Sequence, residues 1–216
     1  MNALSCSASL RHGAAVVLLA LAGGCSALLP KPTLPPAHYS LDSAAPASRA
    51  TSTSPSTRPA AAPTLLGDPP RAAAGFDSRR IVYTREPHRL EAFAHSEWVD
   101  TPARMLAPLI VEAIESSGAF RAAVPATTAA AGDLRLDTEI VRLQHEFGGV
   151  PSRVRFTLRA TLVDLTTRRV LAWRQFDQSV ASASEDPQGG VTAANRVVRS
   201  VLDELAAFCT EANVNR

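Results

Sequence analysis

Cysteine is scarce in this chain: there are three in 216 residues, Cys6, Cys25 and Cys209. Cys6 and Cys25 fall in or at the end of an N-terminal segment that reads as a removable leader, so Cys209 has no partner in the mature chain. A disulfide framework is thereby excluded, although an exported chain could use one, and stability must come from a core. Cys209 lies on the apolar face of a predicted helix and reads as a small buried hydrophobe. An excess of charge of one sign is also lacking. Twenty-two Lys and Arg against twenty Asp and Glu give a formal +2, which falls to +1 without Arg11. Such a balance gives no general attraction to nucleic acid or to anionic lipid. Glycine-rich phosphate loops are missing, and no Gly-x-Ser-x-Gly elbow surrounds any serine. Gly148-Gly149 and Gly189-Gly190 read as turns by context. His88 and His95 stand seven apart near Glu91 and Glu97, but structural zinc sites use tighter spacing and usually cysteines. They read as surface histidines, and the chain as a non-enzyme with no cofactor and no metal. A long apolar run is lacking as well. Ala14 to Ala22 spans nine uncharged residues, too short to cross a bilayer as a helix, which needs roughly 20.

That short run is part of a recognisable order. Arg11 and the α-amino group form a positive end, the apolar run follows, and Leu21-Ala22-Gly23-Gly24-Cys25-Ser26 closes it. This is the order of a secretory signal ending in a bacterial lipoprotein processing box. Cleavage before Cys25 removes residues 1–24 and makes Cys25 the new N-terminus, whose thiol and amine carry acyl chains. Each buried CH₂ contributes roughly 0.8 kcal/mol, so several chains together hold a protein firmly on a membrane.

Residues 25–64 then read as a lipid-anchored tether. Pro30, Pro32, Pro35 and Pro36 stiffen its start, and Ser43 to Thr64 is almost wholly Ala, Ser, Thr and Pro, without the apolar surface needed to offset ordering. Residues 38–41, His38-Tyr39-Ser40-Leu41, are a short strand candidate. Either Tyr39 and Leu41 dock on the domain, or everything before Leu65 is tether; composition favours the tether, because long structureless loops inside compact domains are uncommon.

The folded domain is expected over residues 65–209, with 210–216 as a tail. Ile81 to Thr84 is a strand of β-branched and aromatic residues, and Arg89 to Ala94 returns either as its hairpin partner or as a short helix. Thr101-Pro102 opens a helix with Thr101 as N-cap; Leu106, Leu109, Ile110, Ala113 and Ile114 recur at helical spacing, Pro108 predicts a kink or tightened turn, and Gly118 ends it. Phe120 to Val124 is a short strand candidate. Leu134, Leu136 and Ile140 share one strand face before Val141 and Leu143 take over at odd positions, a phase change that predicts a β-bulge. In the next strand Val154, Phe156, Leu158, Ala160 and Leu162 alternate with Arg153, Arg155, Thr157, Arg159 and Thr161, as in a half-buried antiparallel sheet. A hairpin leads into Val170 to Val180. The last helix carries an apolar stripe through Ala194, Val198, Val201, Leu202, Leu205 and Phe208. The order predicts an α+β fold, a two-layer, mostly antiparallel sheet with two helices packed on one face.

The lipobox with a Tyr-containing segment soon after it, the strand Ile81-Val82-Tyr83, the stretch ending in Glu97-Trp98 before a helix, and the long C-terminal hairpin followed by an amphipathic helix together resemble the ABC-type transport auxiliary lipoproteins, the PqiC-like family. The likeness spans Cys25 to about Phe208. It implies a lipoprotein on the periplasmic face of the outer membrane, partnered by an MCE-domain protein with an ABC permease and ATPase, in a system that moves phospholipids or other apolar molecules between the two membranes. Ser26 is not the aspartate associated with inner-membrane retention, which by analogy implies outer-membrane sorting. The Ala/Ser/Pro-rich segment before Leu65 is longer than the family usually has.

Site residues follow from these readings. Cys25 is the lipidation site. Arg153, Arg155 and Arg159 form a positive stripe, read as a solvated sheet face or, more sharply, as a docking surface for an acidic partner whose binding weakens with salt. Tyr83 and Trp98 read as packing aromatics and, within the family-like segment, as partner-surface candidates. A homo-oligomer stays open. The rival reading is a lipoprotein that itself binds an apolar ligand as a periplasmic shuttle or assembly chaperone.

Overall fold

The computed structural model describes residues 35–42 and 62–215. The signal segment, Cys25 and residues 43–61 of the expected tether lie outside the described residues. Among the described residues there are nine strands and two helices: β1 (Ala37–Tyr39), β2 (Thr64–Gly67), β3 (Arg71–Ala72), β4 (Arg80–Thr84), β5 (Glu91–Trp98), α1 (Pro102–Ser116), β6 (Ala122–Pro125), β7 (Leu134–Glu146), β8 (Arg153–Asp164), β9 (Val170–Ala181) and α2 (Pro187–Val214).

β7 is the spine of the sheet. One of its edges pairs antiparallel with β8 from Leu134↔Asp164 to Glu146↔Arg153, and β9 continues the antiparallel ladder beyond β8. The expected bulge is present as a register shift between Ile140 and Arg142. It hands the inward positions from Leu134, Leu136 and Ile140 to Leu143 and His145, all of them buried. The other edge of β7 is shared by three short parallel strands in turn: β2 beside Leu134 to Leu136, β3 beside Glu139 and Ile140, β4 beside His145 and Glu146. Residues 64–84 therefore run along β7 as one broken strand. Pro69 and Pro70 interrupt it, having no N–H to give the ladder. β6 pairs with the far side of β2, β5 returns antiparallel on β4, and β1 adds in parallel to β5. Of the two alternatives for Arg89 to Ala94, the strand is the one found.

Both helices cover the same face of the sheet. α1 lies over β2, β3 and β6, α2 over β8 and β9, and the helices touch each other. Leu106, Ile110 and Ile114 of α1 meet Phe156, Leu158 and Leu162 of β8 and Val197, Val201 and Leu205 of α2 in one continuous core. This is the expected two-layer α+β arrangement. Thr101 holds the N-cap position of α1, but its side chain makes no capping bond; the Asp100 carboxylate accepts the Thr101 N–H at 2.8 Å instead. Pro108 is accommodated within an unbroken helix, and Gly118 ends it at φ 69°.

Three sequence boundaries move. β1 pairs Ala37 with Ser96 and Tyr39 with Trp98, Leu41 is only 5% exposed, and Asn195 accepts the Asp42 N–H at 2.9 Å while donating to the Ser40 carbonyl at 3.1 Å. Residues 37–42 thus belong to the folded body, against the reading that puts everything before Leu65 in the tether. A three-residue strand has too little side-chain pattern to stand out in a Pro/Ala/Ser background, since its partner's backbone supplies the bonds. α2 runs to Val214, so residues 210–214 are helix and not tail. Gly189 and Gly190 lie within the first turn of α2 and not in a turn before it. The cap is Asp186, whose carboxylate accepts the Gly189 N–H at 2.7 Å.

Candidate functional site

The arginines of β8 project on the face away from the helices, and each has a partner within the sheet. Arg155 grips Asp177 of β9 with two bonds of 2.8 and 2.5 Å, and Thr157 donates to the same carboxylate at 2.9 Å. These donors hold the Asp177 carboxyl below its usual range, the Arg155 bond first and Thr157 after it. Arg159 meets Glu139 of β7 at 2.8 Å, and Arg153 donates to the side chain and carbonyl of Ser179. Residues opposite or diagonal to one another in an antiparallel ladder share a face: Arg159 stands directly opposite Glu139, while Arg155 reaches Asp177 and Arg153 reaches Ser179 on the diagonal. The stripe that looks purely positive in one strand becomes a nearly neutral network in three.

Tyr83 and Trp98 are 8% and 3% exposed. The Trp98 ring belongs to the core. Tyr83 donates its hydroxyl to Glu91 at 2.8 Å, which raises the phenol pKa, and its ring packs 4.6 Å from Phe93 and 5.7 Å from Phe147. The packing role is what the fold gives them. Among the described residues no group of three or more His, Cys, Asp or Glu stands close enough to hold a metal ion. Cys209 is buried, and burial pushes its thiol up to about 12, so it stays protonated and unreactive.

The polar centre that single-strand reading misses is His145. It is 2% exposed, its Nε2 lies 2.7 Å from Ser152 Oγ, and its Nδ1 is buried with no hydrogen-bond partner. Ser152 is fully buried too; its N–H goes to Glu185 at 2.9 Å, and its carbonyl accepts the Ser182 N–H at 2.8 Å. The network ties the β7–β8 turn to the start of α2 on one side of the core. The bulge is the signal that finds it, because once odd positions point inward, His145 follows Leu143. This inaccessible His–Ser pair holds elements together and offers no nucleophile to solvent.

His145 makes stability depend on pH. Burial lowers its pKa, and the nearby Glu185 and Asp186 charges oppose that without overcoming it. The unfolded chain, with an ordinary value of about 6.5, then binds the proton more readily than the folded one. Stability present above that value is lost as pH falls below it, until the lowered folded value is passed. Urea midpoints should therefore drop between pH 7.5 and 5.5, and the drop should vanish in His145→Gln whatever that variant's absolute stability. An equal slope in both proteins would assign the effect elsewhere.

The surrounding space is tight. The apolar void lined by Ile81, Val82, Trp98, Leu143, His145 and Ala194 measures about 10 Å³. Wider depressions lie on the surface: about 290 Å³ beside Asp68 and Arg135 and about 430 Å³ beside His38 and Arg196, both among polar side chains, and about 270 Å³ beside Leu171, Trp173 and Phe208.

In comparisons with known proteins, no curated protein matches the chain. Among solved structures, it resembles XCC0632 of Xanthomonas campestris, with 25% identity over 74% of this chain and 90% of that one at a TM-score of 0.67. A structure described as an uncharacterized protein shares 11% identity over 82% and 99% of the two chains, TM-score 0.63. The hypothetical protein CT253 of Chlamydia trachomatis shares 11% over 72% and 100%, TM-score 0.51; these last two likenesses concern the fold. The model of the ABC-type transport auxiliary lipoprotein component family matches residues 39–206, and the chain belongs to that family.

Proposed function

We propose that this chain is a non-enzymatic, lipid-anchored accessory component of an MCE-type ABC transport system, held by Cys25 on the periplasmic face of the outer membrane. There it would serve the movement of phospholipids or other apolar molecules between the two membranes. Membership of the transport auxiliary lipoprotein family is the observation that carries the reading. The lipobox at Leu21 to Cys25 supports the anchor, residues 26–36 the reach, and the two-layer domain a binding module; residues 43–61 join the docked β1 to β2 and add nothing to the reach. In this division of labour the signal is residues 1–24, and the docked segment 37–42 joins the domain at the membrane-proximal end of the chain.

The rival shuttle would have to use a surface groove. Small-molecule sites measure roughly 300–1,000 Å³ and are mostly apolar; the void at the His145 side of the core is about 10 Å³, and the groove beside Leu171, Trp173 and Phe208 is about 270 Å³. The deciding experiment is to extract the native protein from membranes, capture it, and identify what comes with it, beside a Cys25→Ala variant. The expected result is an acylated N-terminal Cys25 by intact mass, outer-membrane sedimentation lost in the variant, and an MCE-domain protein in the captured complex without stoichiometric lipid on the chain itself. Bound lipid at one copy per chain with no MCE protein would favour the shuttle.

A further inference from the structure

We propose that the groove where β1 meets α2 binds the anionic phospholipid headgroups of the membrane to which the chain is tethered, a reading that rests on the Cys25 anchor. The groove holds about 430 Å³ and is bounded by His38 and Ser40 on the N-terminal segment and by Thr192, Asn195, Arg196 and Arg199 on α2. Its place in the chain is the first argument. Pro36 follows Cys25 by eleven residues, and at no more than 3.3–3.6 Å per residue that distance is at most about 40 Å. The tether enters the domain at the edge of this groove, so the groove stays within that distance of the anchored residue.

A tether of that reach does not by itself choose which face meets the membrane, because a domain of this size has a radius of gyration of only about 15 Å. A second contact is needed, and chemistry selects it. Arg196 is exposed on α2 with one bond, to the Ala181 carbonyl. Arg79 stands behind His38, outside the groove's lining: its Nη2 is 3.2 Å from His38 Nδ1, its Nε donates to the Trp98 carbonyl at 3.1 Å, and it ion-pairs with Glu97 at the longer distance of 3.9 Å. Asp42 is the one carboxylate among the groove's lining residues. The guanidinium fork matches a phosphate with two parallel bonds. The whole chain is nearly balanced in charge, so the attraction is local: arginines gathered beside the anchor see headgroups at the high effective concentration that a short linker imposes. A lipid anchor joined to a basic patch is the two-signal arrangement that makes membrane attachment stable.

The test uses the native acylated protein in nanodiscs of phosphatidylcholine with or without phosphatidylglycerol, reading hydrogen exchange of residues 37–42. Exchange should slow by about five-fold for each arginine engaged, the factor corresponding to about 1 kcal/mol per basic residue near an anionic surface. The slowing should need phosphatidylglycerol, disappear at high salt, and shrink in Arg196→Gln and Arg79→Gln, whose melting curves should match the wild type. Equal exchange in the two lipids overturns the proposal. Intact mass of the same sample scores the anchor separately. Should the mature chain prove unacylated, the anchor fails, and sedimentation of that chain with phosphatidylglycerol vesicles scores the groove alone: arginine-dependent binding upholds it, and none overturns it.

Discussion

Replacing Phe156 by alanine should destabilise the domain by about 3–5 kcal/mol, the range for deleting a buried aromatic ring. Phe156 is fully buried in β8, the strand with paired neighbours on both sides, opposite Leu143 of β7 and Gln178 of β9. Its ring fills the layer between sheet and helices. Both neighbouring strands pin the backbone there, so the site cannot collapse onto the missing ring, and the cost should fall in the upper part of that range. At about 2–4 °C per kcal/mol for a domain of this size, calorimetry should record a melting temperature lower by roughly 6–20 °C. The comparison that gives the number meaning is Trp173→Ala. Trp173 is larger, sits one strand away and is 68% exposed; its removal should change stability by no more than about 0.5 kcal/mol. Similar losses at the two positions would mean that the core does not lie where the alternation of β8 puts it.

Gly190→Ala should also destabilise, against the usual trend. In an ordinary helix this change stabilises by up to about 1 kcal/mol. At Gly190 a Cβ would stand 2.6 Å from His145 Nδ1 and 3.2 Å from Cε1, and the ring cannot retreat because Ser152 holds its far side at 2.7 Å. Overpacking of this kind costs typically 1–3 kcal/mol, which outweighs the propensity gain. Denaturant unfolding of Gly190→Ala and His145→Ala, singly and combined, separates the two terms. The double variant should lose less than the sum of the single losses, because the clash needs both partners. Gly148→Ala, with no atom within 4 Å of the added Cβ, serves as the neutral control. Strict additivity in the double variant would remove the close approach as the reason for this glycine.

These two glycines mark the limit of what was legible beforehand. Gly189-Gly190 looks like a turn because glycine pairs usually are, and a local rule has no access to a histidine forty-five residues earlier in the chain. The alternation of β8 was legible for the opposite reason: a half-buried strand writes its environment into every second residue, and Val154 to Leu162 are inward as their pattern says. The bulge in β7 was legible too, since a phase change in hydrophobicity is its direct trace. The arginine stripe is legible as a row but not as a charge, because Asp177 and Glu139, which neutralise most of it, come from other strands.

By itself, then, the order of residues decided the fold class: two amphipathic helices, long strands with a clean period of two, and hence a two-layer α+β domain. Those features are local or periodic, and burial of one face follows from them wherever the chain goes. Tertiary structure alone decided which edges meet. It set three short strands in line along β7, drew residues 37–42 out of a tether-like background onto β5, buried the His145 network beside Gly190, and brought His38 and Arg196 to one groove. Each of these depends on backbone edges or single side chains brought together from distant positions, where no periodicity exists to announce them.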